Sequence, residues 1–131
     1  MLKKGILNPH INSLLSRVRH NNMLVIADRG FTNFPELEIV DLSLVDDIPT
    51  VLQVFEAIKP NFDVCQIYMA SEFKQENSEA VQKRVQNACG NLPVIFERSD
   101  EMKKRIPNAI GIIRTADTIQ YTNMLLVSGR T

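Results

Sequence analysis

The stretch Ile112-Ile113-Arg114-Thr115-Ala116-Asp117-Thr118-Ile119-Gln120-Tyr121-Thr122-Asn123-Met124-Leu125-Leu126-Val127 decides how the rest of the chain is read. Its ends belong to two short apolar runs, 109–113 and 124–127, continuous and partly β-branched, which is the pattern of buried strands. Their connection is too short for a helical crossover, so the closing strand pair can be antiparallel. Between the runs lies a polar segment carrying Arg114, Asp117, Tyr121 and Asn123, whereas an ordinary turn favours Gly, Pro, Asn, Asp and Ser. Loops at strand ends, held by a rigid scaffold, tend to carry binding groups. All four of these side chains can hydrogen-bond a polyhydroxylated ligand, and the Asp and Tyr can also exchange protons.

Working back from that stretch, helices and strands alternate. Ile11, Leu14, Leu15 and Val18 form the stripe of an amphipathic helix after a capping Asn8 and a first-turn Pro9. Residues 23–28 read as a core strand ending in a carboxylate, and 38–42 as a second strand. Asp46-Asp47-Ile48-Pro49 resembles a helix start, with Val51, Val54, Phe55 and Ile58 inward and Pro60 as the stop. A strand at 64–70, a charged helix from about 75 to 88 ending before Gly90, and a strand at 92–96 follow. Ser99-Asp100-Glu101 opens a short helix that ends before Pro107. This order predicts an α/β three-layer sandwich, with a largely parallel central sheet and helices on both faces. No linker, repeat or low-complexity segment interrupts it, so residues 1–131 are expected to form one domain.

Composition narrows the function classes. Fifteen Lys and Arg balance fifteen Asp and Glu, which gives no reason to expect nucleic acid or an anionic membrane as partner. The apolar runs fall far short of the roughly 20 residues of a membrane span, and the amino terminus lacks a secretion signal, so a cytoplasmic protein is expected. Cys65 and Cys89 have no Cys or His at zinc-ligand spacing and read as reduced thiols; no metal is expected. Gly30 stands alone, without a glycine-rich loop to cradle phosphate, and there is no nucleophile elbow.

Two further residues draw notice. His20 closes the first helix; an imidazole there either favours the negative end of the helix dipole or gives and takes protons near neutral pH. Asp28 ends the first core strand, where open α/β sheets place ligand groups, though a turn-forming role or a pairing with Arg29 is equally open to it. Tyr121 and Asn123 likewise have structural alternatives, a hydroxyl tied to backbone and an amide closing a turn.

The chain resembles the D-ribose pyranase and L-fucose mutarotase family along essentially its whole length. The resemblance rests on Lys3-Lys4-Gly5-Ile6-Leu7-Asn8 and on His20 at a helix end. It rests also on Val25-Ile26-Ala27-Asp28-Arg29-Gly30, Asp41-Leu42-Ser43-Leu44 and Ser71-Glu72-Phe73-Lys74. Most specific is Ile113-Arg114-Thr115-Ala116-Asp117 followed by Tyr121-Thr122-Asn123, similar to Ile-Arg-Thr-Gly-Glu and then Pro-Tyr-x-Asn. The resemblance implies an enzyme that exchanges ring or anomeric forms of a free aldose without cofactor or metal. It also implies a ring of subunits, a pentamer or stacked pentamers, with the sugar at a subunit interface. By the same resemblance His20 is the proton donor, and Asp28, Tyr121, Thr122 and Asn123 hold the sugar. Ser99 takes the place of a sugar-binding His of the ribose-type members. Arg19 and Arg29 stand where the family has Gly and Ala, and Asp117 where it has Glu; the two arginines raise an anionic sugar as an alternative ligand. A non-catalytic carbohydrate-binding or regulatory protein linked to sugar transport is the other reading.

Overall fold

The computed structural model describes residues 1–130. Its sheet contains β1 (Met23–Ala27), β2 (Glu38–Asp41), β3 (Val64–Ala70), β4 (Val94–Glu97), β5 (Gly111–Arg114) and β6 (Met124–Ser128), in the order β2-β5-β1-β6-β3-β4. β1 and β2 pair with β5 in parallel, as β3 does with β4, whereas β6 runs antiparallel to both β1 and β3. The expected largely parallel sandwich is therefore present.

The closing strands run in opposite directions but do not pair with each other, because β1 lies between them. The polar segment after β5 is thus an arch over the end of β1, not a hairpin turn. Thr115 fastens it: its N–H and its hydroxyl both donate to the Ala27 carbonyl, each at 2.8 Å.

Helices cover both faces. α1 (Pro9–Ser16) is capped by Asn8, whose side chain accepts from the His10 and Ile11 N–H groups. α2 (Val51–Ile58) starts at a Thr50–Gln53 capping box, so the expected start at Asp46-Asp47 is one turn early. Asp47 instead accepts from the Thr118 N–H and hydroxyl, tying its turn to the arch. The charged helix expected over 75–88 divides into α3 (Glu72–Glu76) and α4 (Glu79–Cys89). The break falls at Asn77, which is extended and donates its amide to the Phe73 and Gln120 carbonyls, while Ser78 caps α4. α5 is Ser99–Arg105.

Alternation along β1 divides the core. Leu24 and Ile26 face Leu14 of α1, Phe55 of α2 and Val85 of α4 in one apolar cluster. Val25 and Ala27 face the other way, against Met102 of α5 and against Phe31, Phe34 and Leu37 of the loop before β2. Gly111 marks the closest approach of α1 to the sheet: a Cβ there would lie 2.8 Å from Leu14 Cδ1 and 3.0 Å from the Glu38 carbonyl.

Candidate functional site

β6 runs against β1, so the residue before β6 meets the residue after β1. Ile26 lies opposite Met124, and beyond that pair the Asp28 N–H donates to Asn123 Oδ1 at 2.6 Å. The Asp28 carboxylate in turn accepts from the Gly30 N–H at 3.0 Å. Burial pushes the Asp28 carboxyl above the usual carboxylate range, with a smaller push from the charge of Asp117, against hydrogen bonds from Gly30, Asn123 and Phe31 that pull it down.

Tyr121 sits in the left-handed region at φ 58°, a conformation that costs a side-chain-bearing residue about 1–2 kcal/mol. Asn77 grips the carbonyl just before it. Tyr121 is 37% exposed, at the end of the open stretch that starts at Thr118 and just before the buried Thr122. Strain of this kind clusters where a side chain is presented to a ligand.

A hollow of about 340 Å³ opens at this corner of the sheet, within the usual range for ligand sites of about 300–1,000 Å³. Asp28, Ser99, Tyr121 and Asn123 all line it. Thr122, also expected at the sugar, does not: it is 1% exposed, buried between Tyr121 and Asn123, which line the hollow. Ser99 comes from the first turn of α5 and donates its hydroxyl to Glu72. That bond, first among several, holds the Glu72 carboxyl below the usual carboxylate range.

The lining also includes Phe31, Met102, Lys103 and Gln120, none of which sequence reasoning singled out. A signal existed for two of them. Met102 and Lys103 stand three and four residues after Ser99, on the same helix face.

His20 is elsewhere. It precedes β1, while Asp28 follows it, and five strand residues at about 3.3 Å each put roughly 16 Å or more between them. There the turn after α1 is stitched to the end of β6 by Asn21 N–H to the Ser128 carbonyl and Ser128 N–H to the Asn22 carbonyl, both 2.8 Å. The imidazole lies over Gly129, exposed, with the Cys65 thiol on the same spot. Within one chain the structure does not bring His20 to the hollow.

Two polar residues of the arch serve the scaffold instead. Arg114 is buried and donates to the Phe31 carbonyl at 2.7 Å and to Asn33 Oδ1, fixing the loop after β1. Asp117, 2% exposed, accepts from the Val51 N–H at 2.9 Å and the Ile119 N–H at 2.8 Å, so it closes the start of α2. Neither arginine singled out as an anion partner lines the hollow. Arg19 donates to the Ser16 and Val18 carbonyls at the end of α1, and Arg29 pairs with Asp46 on the surface. Among the described residues no group of three or more His, Cys, Asp or Glu is arranged to hold a metal ion, and no helix is long and apolar enough to cross a membrane.

The arrangement puts a carboxylate, a hydroxyl, a phenol and an amide around an open volume beside Phe31, groups that can hydrogen-bond a polyhydroxylated ligand. The profile of the RbsD / FucU transport protein family matches residues 1–131. The D-ribose pyranase of Geobacillus thermodenitrificans is 35% identical over 129 residues, covering 98% of this chain and 97% of the relative. The structure of Bacillus subtilis RbsD complexed with D-ribose superposes with a TM-score of 0.92 at 27% identity, over 100% of this chain and 99% of that one. The fucose mutarotase of Streptococcus pneumoniae, solved with L-fucose, shares the fold at a TM-score of 0.76 and 15% identity, over 95% of this chain and 94% of its own.

Proposed function

The chain belongs to the RbsD / FucU transport protein family, and from that premise we propose that it is a sugar mutarotase or pyranase, interconverting ring or anomeric forms of a free aldose in the cytoplasm by general acid–base ring opening. The observation that carries this reading is the convergence of Asp28, Ser99, Tyr121 and Asn123 on one hollow of monosaccharide size. A neutral aldose suits it better than an anionic one. Arg19 and Arg29 are engaged elsewhere, and the charged groups on the wall are one cation, Lys103, and one carboxylate, Asp28. Relatives named for D-ribose make a pentose the first ligand to try.

Ring opening breaks the bond between the anomeric carbon and the ring oxygen. The ring oxygen gains a proton, the anomeric hydroxyl loses one, and a carbonyl forms. In this reading the His20 imidazole, protonated, gives its proton to the ring oxygen, and the Asp28 carboxylate, made a stronger base by burial, takes up the anomeric proton. Rotation and reclosure return both protons and give the other anomer, or another ring size if a different hydroxyl attacks. Tyr121 and Asn123 hold the remaining hydroxyls. A positioned acid or base supplies about 10²–10⁴-fold each, which suffices for a reaction already quick in water.

Since His20 and Asp28 lie at opposite ends of β1, each hollow takes its imidazole from a neighbouring copy in a homo-oligomeric ring, pentameric or of stacked pentamers. Leu44, Val45 and Ile48, exposed together on the turn before α2, give such a ring apolar surface to cover. The distance of His20 from the hollow within a chain also favours, as a second reading, a non-catalytic carbohydrate-binding protein linked to sugar transport.

Saturation-transfer NMR on aldoses at equilibrium separates the two. Accelerated exchange between ring forms of ribose, fucose or a related sugar is the expected result. Saturable binding without acceleration at ample protein makes the protein a binder and ends the enzyme reading.

A further inference from the structure

α5 starts without a side-chain cap of its own, since Arg98 at the cap position makes no such hydrogen bond. Its first residue is instead held by a side chain 27 positions earlier. Glu72 Oε1 and Oε2 accept from the Ser99 N–H at 3.0 and 3.3 Å, and Oε2 also accepts from the Ser99 hydroxyl. Glu72 follows β3 closely, and the same junction is pinned by the Ser71 N–H donating to the Glu97 carbonyl at 2.7 Å. The carboxylate is therefore anchored on the sheet while its acceptors reach the hollow wall.

The polarity of this contact matters. An ionised carboxylate only accepts, and a serine hydroxyl has one proton to give. Because that proton goes to Glu72, Ser99 can face the hollow only through its oxygen lone pairs. We propose that Glu72 is a positioning residue for the sugar: by taking the Ser99 proton it makes Ser99 an obligate acceptor, which selects a ligand carrying a free hydroxyl at that point over one that is deoxygenated or O-methylated there. The proposal rests on the sugar-binding reading above. The lowered pKa of Glu72 keeps the arrangement in force through neutral and mildly acidic pH. Glutamine at 72 is not equivalent, for its amide nitrogen donates to the Ser99 oxygen and lets the hydroxyl point into the hollow as a donor.

The test compares wild type with Glu72→Gln, Ser99→Ala and Ser99→Thr, using D-ribose and its 2-deoxy, 3-deoxy and mono-O-methyl analogues, with ring exchange and binding both read by NMR. Wild type is expected to disfavour one deoxy position roughly tenfold, the scale of one hydrogen bond. Ser99→Ala should abolish that discrimination and raise KM for ribose by a similar factor with kcat little changed, and Ser99→Thr should restore it. Glu72→Gln should weaken discrimination and relieve the rejection of the O-methyl sugar, whose ether oxygen can accept. Independently of any sugar, the Ser99 amide resonance should titrate with a midpoint below an ordinary glutamate, and should lose that titration in Glu72→Gln. Wild type that binds sugar while all variants match it across the panel overturns the positioning role alone. Wild type that binds no sugar overturns the parent reading, and this one with it. A Ser99 amide indifferent to pH overturns the Glu72 contact itself.

Discussion

The two ends of β1 differ in kind. At its carboxyl end Asp28 is half-buried, bonded to Asn123 and Gly30, and roofed by an arch whose Thr115, Asp117 and Arg114 are themselves buried and bonded. At its amino end His20 lies exposed over Gly129, on a turn held by the backbone bonds of Asn21 and Asn22 to Ser128. Burial with paired polar groups gives a hollow whose geometry is fixed before a ligand arrives, as binding a small polyol requires. An imidazole on the surface is useful there only if another surface comes to it. On the proposed reading a single chain thus holds a finished receptor at one end of the strand and an unfinished reagent at the other.

The strongest way to break this contrast is to separate the two ends genetically. His20→Ala should lower ring exchange by about 10²–10⁴-fold while sugar binding persists. Asp28→Asn should impair binding and exchange together. Mixing the two inactive variants under conditions that let subunits reshuffle should recover activity, because some hollows then carry an intact Asp28 beside an intact His20 from a neighbour. If both variants are inactive, shuffling is verified by mass spectrometry and no activity returns, the site is not shared between copies.

Next in size is a test of the roofed end. Asp117→Ala leaves the buried Val51 N–H without its acceptor and should cost about 1–3 kcal/mol in urea unfolding. Asp117→Asn, which keeps an acceptor oxygen, should cost less. A loss of sugar binding in Asp117→Ala with no change of stability would mean that this carboxylate serves the ligand and not α2.

Much of this was legible in the chain itself. Short β-branched runs marked the strands, and an arginine, an aspartate and a tyrosine between two of them marked the arch as more than a turn. The span from His20 to Asp28 already contained a whole strand, so simple strand length places the pair at opposite edges. Strand order was not legible, because nothing local says that β1 slips between β5 and β6. Nor was the division of labour within the arch: Arg114 and Asp117 are as polar as Tyr121 and Asn123, and only burial separates scaffold from site. Lys103 carries no local mark that separates it from a solvated lysine; only the packing of α5 beside the hollow puts it on the wall. The break at Asn77 escaped because its cause is a carbonyl 43 residues away, that of Gln120.

The smallest effect probes the receptor end by pH. Burial raises the folded-state pKa of Asp28 above its unfolded value, so the folded chain binds the proton more tightly than the unfolded one. Stability then falls as pH rises from the ordinary aspartate range through the raised folded value, and stays lower above it. Asp28→Asn removes the buried charge, so it should be more stable than wild type at neutral pH, with the difference closing as pH drops back through that window. Exchange by the wild type should move oppositely, rising with pH across the same interval as the carboxylate forms. An Asp28→Asn variant less stable than wild type at pH 7 would mean that the bonds from Gly30 and Asn123 outweigh burial. The carboxylate would then be part of the scaffold, like Asp117, and the receptor end would lose the group that distinguishes it from the roof above.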